Sequence, residues 1–225
     1  GERAGSIWLT GMVHAIALGI LLVLLTRFAP FWLNLFGQSD AMVAGAAPVM
    51  SMLGYGMPAM LVFTVCNLFL EAIHRPTPGM VIMLFAIVAN IALNALMISG
   101  FAGVEGAEGA ALATTVVRTL MAFVAVGYVW FAVDRKRYGL MPFAGEFSAI
   151  AARLRRIGAP MALGVGLEST AFAAMTLMAG VLGEAAVGAY TIAHNFNALI
   201  FMFGLGVSTA AAVRVGNALG RDDPA

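Results

Sequence analysis

The sequence predicts an all-α polytopic membrane protein, and three observations carry that prediction. Of 225 residues, 62% are hydrophobic and only 10% charged, whereas a soluble domain carries about a quarter charged residues. Apolar stretches of about 20 residues, the length that crosses a hydrocarbon core about 30 Å thick, recur along the chain. The remaining charges collect at the ends of those stretches, and no polar block is large enough to form a separate soluble domain.

Six spans follow in order. The first runs from about Ile7 to Thr26 and ends at "RFAP". The second, Ala41 to His74, is too long for one straight crossing; Pro48, Gly54, Gly56 and Pro58 within it predict a kink or a tilt. "HRPTPG" stops it, because proline cannot continue a helix. The third covers about Met80 to Ile98, the fourth Ala110 to Ala132, the fifth Ile157 to Ala179 and the sixth Ala186 to Val213. Glycine and alanine at helical spacing, as in "GMVHAIALG" and "MALGVGLE", permit close helix–helix approach, which is ordinary membrane packing for any single glycine.

One connection is long. Residues 134–156, "DRKRYGLMPFAGEFSAIAARLRR", form the most polar region and are the candidate boundary between two helical bundles. Within it "GEFSAIAARLRR" is expected to form a short amphipathic helix at the membrane interface, with arginines on its polar side. Six spans and the twelve Lys and Arg residues fit one another. Arg27 lies on the side opposite Gly1, with Asp40, Glu105, Glu108 and Glu184, and Arg118 lies inside a span; the other basic residues fall on the side of Gly1 or at its helix ends. The bias toward positive cytoplasmic loops puts both ends and the linker in the cytoplasm.

The polar residues inside the spans are the candidates for function. Glu168 lies about 15 Å into the fifth span, near the midplane. A carboxylate there must be neutral, paired, or facing a watery cavity, and such a group is suited to carry a proton or meet a cation. A permanently protonated acid bonded to a neighbouring helix is its structural alternative. Asn90 and Asn94 lie four apart, on one face of the third span; they line a cavity and coordinate an ion, or they bond helices together, and spacing leaves both readings open. Arg118 is expected to reach toward the outer surface rather than to pair with a buried carboxylate. His14, central in the first span, reads as a hydrogen-bonded helix contact before a titrating group. Tyr190, His194 and Asn197 form the polar stretch "YTIAHNFN" in the sixth span, with Tyr190 and His194 on one face. Met175, Met178 and Met202 supply pliable apolar surface.

Several classes drop out. Net charge is +1, and no basic patch interleaved with aromatics marks a nucleic-acid surface. The lone Cys66 lies in an apolar span, giving neither a disulfide nor a thiolate metal site. No metalloprotease motif, phosphate loop or nucleophile elbow is present, so neither an enzyme nor a bound cofactor or metal is expected.

The order of these motifs resembles a known family. "RRIGAPMALGVGLESTAFAAMTLMAGVLGEAAVGAYTIAHNFNALIFMFGLGVSTAAAVRVGNALGRDD" is similar to the seventh and eighth helices of the multidrug and toxic compound extrusion (MATE) transporters. "FLEAIHRPTPGMVIMLFAIVANIALNALMISG" resembles the end of their fourth helix and their fifth, and "GAALATTVVRTL" the start of the sixth. The resemblance implies a central fragment, helices three to eight of a two-lobe, twelve-helix fold. Residues 1–133 are then the remainder of the first lobe, 134–156 the cytoplasmic linker and 157–225 the start of the second, with the ends expected to be cuts. It implies a monomer in a bacterial inner membrane whose other helices belong to the same chain, exporting amphipathic organic cations in exchange for protons or sodium. Glu168 matches the family's helix-seven acid, and Asn90 and Asn94 match polar positions of helix five. Arg118 departs from the neutral or amide residue expected there. A lipid or polyisoprenoid-oligosaccharide flippase of related fold and a non-transporting scaffold are the alternatives; the flippase is disfavoured because Arg118 is the sole basic residue well inside a span.

Overall fold

The structure, a computed structural model, describes residues 2–35, 37, 40–100, 103–139 and 147–219. These form α1 (Glu2–Arg27), α2 (Ala29–Leu35), α3 (Asp40–Tyr55), α4 (Met57–Ala72), α5 (Thr77–Ile98), α6 (Gly106–Ala132), α7 (Arg135–Tyr138), α8 (Phe147–Val181) and α9 (Glu184–Leu219). No strand occurs among the described residues. Six helical segments are long and apolar enough to cross a membrane: Ala4–Arg27, Asp40–Ala72, Thr77–Ile98, Gly106–Ala132, Phe147–Thr176 and Gly188–Gly216. They coincide with the six expected spans. The chain divides into two compact units, Gly1–Ala151 and Ala152–Ala225.

In the first unit α6 packs against α3, α4 and α5, and α1 packs against α3 and α4. The core where α1, α4 and α6 meet holds Trp8, Phe63, Cys66, Phe69, Leu70, Ala125 and Val129. Apolar burial inside a bilayer gains little over lipid, so shape has to hold these helices together. Gly54 shows how: a Cβ there would collide with the Thr26 hydroxyl, so α1 and α3 meet at the closest separation their backbones allow.

The second span breaks where its prolines and glycines predict. Gly56 separates α3 from α4, and its amide donates to Leu53 O at 3.1 Å, a tighter turn than the α-helical bond to Met52 O. The freed Met52 carbonyl accepts instead from Thr115 Oγ1 of α6 at 2.7 Å. On the other side Ser51 Oγ donates to Thr26 O of α1 at 3.3 Å. A helix interrupted in lipid must re-satisfy its backbone through neighbours, as the Thr115 hydroxyl does for Met52 O, while Ser51 does the same for the end of α1.

The end of α4 is a complete Schellman turn. Arg75 N donates to Leu70 O at 2.8 Å and His74 N to Glu71 O at 3.0 Å. The left-handed position belongs to His74 (φ 62°), where glycine is the common choice, and Pro76 bars any continuation.

Two features depart from the expectation. The short α2, packed on α3, has no separate signature in a run of apolar residues. The interfacial helix expected from "GEFSAIAARLRR" is not separate: residues 140–146 lie outside the described residues, and from Phe147 the chain continues as one helix to Val181. Alanine, leucine and arginine are strong helix formers, so the arginine-rich stretch propagates directly into the span. Pro160 removes one backbone bond without ending the helix.

The start of the polar linker docks on the first unit. Asp134 Oδ1 accepts from Arg137 N at 3.2 Å and Asp134 O from Tyr138 N at 3.3 Å, closing the single turn of α7. Tyr138 meets Phe69 edge-on at 6.3 Å, and Phe69 meets Trp8 at 5.9 Å.

The second unit is a helical hairpin. Gly183 turns it at φ 107°, with Leu182 N donating to Ala179 O and Ala186 N to Gly183 O, both at 3.1 Å. Phe172 and His194, equally far from that turn, touch with ring centroids 5.0 Å apart, which fixes the antiparallel register.

Candidate functional site

In the second unit, polar groups gather around that ring contact. Tyr190 stacks on His194 at 5.8 Å with planes 16° apart, so α9 presents a layered aromatic surface toward Phe172 of α8. Tyr190 Oη is buried without a hydrogen-bond partner. Glu168 precedes Phe172 by one helical turn and is exposed on α8. Asn197 is itself exposed, one turn beyond His194. The expected grouping of Tyr190 and His194 on one face is therefore present, with Glu168 one turn before Phe172 on α8 and Asn197 one turn beyond His194 on α9. A carboxylate beside stacked aromatic faces combines the two attractions an organic cation uses, charge and ring quadrupole.

Asn90 and Asn94 lie in the first unit. Both are half-buried on α5, and Asn94 Nδ2 donates to Asn90 Oδ1 at 2.8 Å. Asn94 Oδ1 is buried without a partner among the described residues. An unpaired amide oxygen away from water is costly, and it is a competent ligand for a hard cation. Next to the pair, α5 and α6 enclose a wholly apolar cavity of about 330 Å³ that includes Ala86, Ala89 and Val117.

The other two candidates differ from each other. His14 Nδ1 lies 2.8 Å from Thr10 O, and a carbonyl only accepts, so Nδ1 carries the proton and donates. The bond runs one turn back within α1. Arg118 does not reach for the outer surface as expected. Arg118 borders a cavity between α4, α5 and α6, and its Nη1 is buried without a partner among the described residues. Gly56 makes room for the stem, since a Cβ there would come within 3.2 Å of Arg118 Cδ.

A family model described as MatE matches residues 2–96 and 160–225. The chain belongs to the MATE family. The multidrug resistance protein NorM of Aliivibrio fischeri is 34% identical over 176 residues, covering 75% of this chain and 37% of that protein. A protein of Caulobacter vibrioides named "Probable multidrug resistance protein NorM" is 34% identical over 227 residues, covering 100% of this chain and 48% of the relative. NorM of Vibrio cholerae is 28% identical over 219 residues, 95% of this chain and 47% of its own length. The chain thus spans about half the length of the curated relatives it matches. Being a MATE chain with six apolar helices, it is a multi-pass membrane protein.

One polar pair in this MATE chain escaped the sequence reading. Asn67 Nδ2 donates to Glu71 Oε1 at 2.6 Å on α4, and Gly79 at the start of α5 packs against the Asn67 amide oxygen. The two residues edge a cavity of about 310 Å³ that also touches Met80 and Ile87. Their spacing of four in "NLFLEA" was the available signal. Among the described residues no cluster of three or more His, Cys, Asp or Glu could hold a metal ion.

Proposed function

We propose that the full-length protein is a secondary active exporter of amphipathic organic cations and drugs, driven by antiport with protons or sodium across a bacterial inner membrane. Family membership and the multidrug resistance names of the relatives support the class. The observation that carries the mechanism is Glu168, the only charged residue between Ile157 and Ala179, beside the Phe172–His194–Tyr190 rings. The ionised carboxylate attracts a cation; protonation, or occupation by the coupling ion, releases it. Coupling requires that affinity differ between inward-open and outward-open states, since equal affinity shifts nothing. Asn90 and Asn94 offer amide oxygens to the coupling cation in the first lobe. No covalent step is involved, and the reading is transport rather than catalysis.

The proposed division is a first-lobe remainder at 1–133, a cytoplasmic linker at 134–156 and the start of a second lobe at 157–225, in a monomer with both ends of this stretch cytoplasmic. In a Cys66→Ala background, a cysteine at exposed Glu105 should react with an impermeant reagent in intact cells, and one at exposed Arg137 should not. The reverse pattern overturns the orientation.

Glu168→Gln tests the mechanism, because glutamine keeps the shape and removes the titratable charge. In full-length protein reconstituted into vesicles, ion-driven uphill export of a cationic dye should be lost while assembly is normal. Wild-type export at equal expression across the working pH range would leave Glu168 structural. Replacing Asn90 and Asn94 with leucine should preserve insertion and reduce transport; unchanged transport would assign the pair to helix contact.

A further inference from the structure

We propose that Arg118 and the cavity beside it form a binding site for the carboxylate of a medium-chain amphipathic acid, separate from the path of the cations. Four observations lead there. Arginine keeps its charge at any working pH, and a guanidinium at this depth demands an anion or water. Nη1 is nevertheless buried and without a partner among the described residues. The lining holds no carboxylate, and Glu71, in the neighbouring cavity that shares Asn67 and Met83, is already bonded to Asn67. Apart from Thr64, whose hydroxyl is bonded to Met60 O, the remaining lining is apolar and deformable: Met60, Phe63, Leu68, Met83 and Met121.

Size and charge narrow the ligand. The cavity holds about 310 Å³, which at about 30 Å³ per non-hydrogen atom accommodates roughly ten such atoms, the size of octanoate. The guanidinium fork matches a planar carboxylate through two parallel N–H···O bonds. A phosphate monoester would bring a second negative charge that the lining has no second cation to meet, and a two-chain phosphodiester lipid is several times larger than the cavity. An organic cation would meet Arg118 as a like charge and be repelled. The chain would lie along the methionines, and the bilayer itself supplies the ligand by partition.

The test uses full-length protein in nanodiscs of zwitterionic lipid and a diazirine-bearing octanoate analogue, with the corresponding alcohol as the uncharged control. After irradiation, labelled peptides should map to Met60–Leu68 and Met121, with octanoate competing and octanol failing to compete. Arg118→Gln should cut labelling about tenfold, the loss expected when a charge-assisted bond is removed, and Arg118→Lys should retain most of it. Equal labelling by the alcohol would reduce the site to an apolar groove and overturn the proposal. Labelling that persists in Arg118→Gln or maps elsewhere would do the same, as would a full-length structure in which another carboxylate of the chain occupies Arg118. Should the glutamine variant fail to fold, the contrast between octanoate and octanol on the wild type still decides.

Discussion

The helices α6 and α8 look alike as sequences, both rich in alanine and glycine, yet they behave differently. On α6 a stripe of Gly109, Ala113, Val117, Ala122, Ala125 and Val129 is buried against its neighbours. On α8, Gly158, Gly164 and Gly166 have no neighbour within 4 Å that an added Cβ would meet. The hydroxyls tell the same story. In the first unit Thr115 and Ser51 donate to carbonyls on other helices. In the second, Thr170, Thr176 and Thr209 each donate to the carbonyl one turn back on their own helix. Small residues and hydroxyls are therefore a capacity for close packing; which of them are used depends on what lies opposite.

That contrast can be broken experimentally. Gly54→Val should be the most damaging change, destabilising detergent-solubilised full-length protein by about 3 kcal/mol, because the valine cannot avoid Thr26. The matched Gly166→Ala should instead be neutral or gain about 0.5 kcal/mol of helix propensity if its face stays open. A loss comparable to that at Gly54 would show a helix seated on α8 in the complete protein and would erase the difference. Thr115→Val should cost about 1 kcal/mol by leaving Met52 O unpaired at the break, whereas Thr176→Val should stay within about 0.5 kcal/mol. Denaturant unfolding compares the two directly, and equal losses would mean that Thr115 acts no differently from a back-bonded threonine. The smallest expected effect is at His74, where glycine should add about 0.5 kcal/mol by relieving the left-handed backbone. Destabilisation there would mean that the imidazole makes a contact stronger than its backbone strain.

Much of this was legible in the sequence for physical reasons. The spans could be read because hydrocarbon tolerates few charges, and the break near Gly56 because proline and glycine act locally. The Asn90–Asn94 bond follows from helical periodicity alone, as does the shared face of Tyr190 and His194. Arg118 was misread because its destination depends on the space left by Gly56, sixty-two positions away in sequence. The reach of Thr115 to Met52 is tertiary in the same way. The arginine-rich start of α8 looked like a separate element because its polarity changes at Ile157, although its helix propensity does not.

The contact between Gly5 of α1 and the carbonyl of Gly139, just beyond α7, carries a consequence of a different kind. The start of α1 and the residue after α7 therefore lie side by side, beneath the Trp8–Phe69–Tyr138 rings. A segment whose two joints coincide can be lifted out and exchanged as a cassette, because its replacement need only match one anchorage in place of two distant ones. Chimaeras among relatives joined at residues 5 and 139 should then exchange these four spans together through one anchorage, which makes this a seam for recombination.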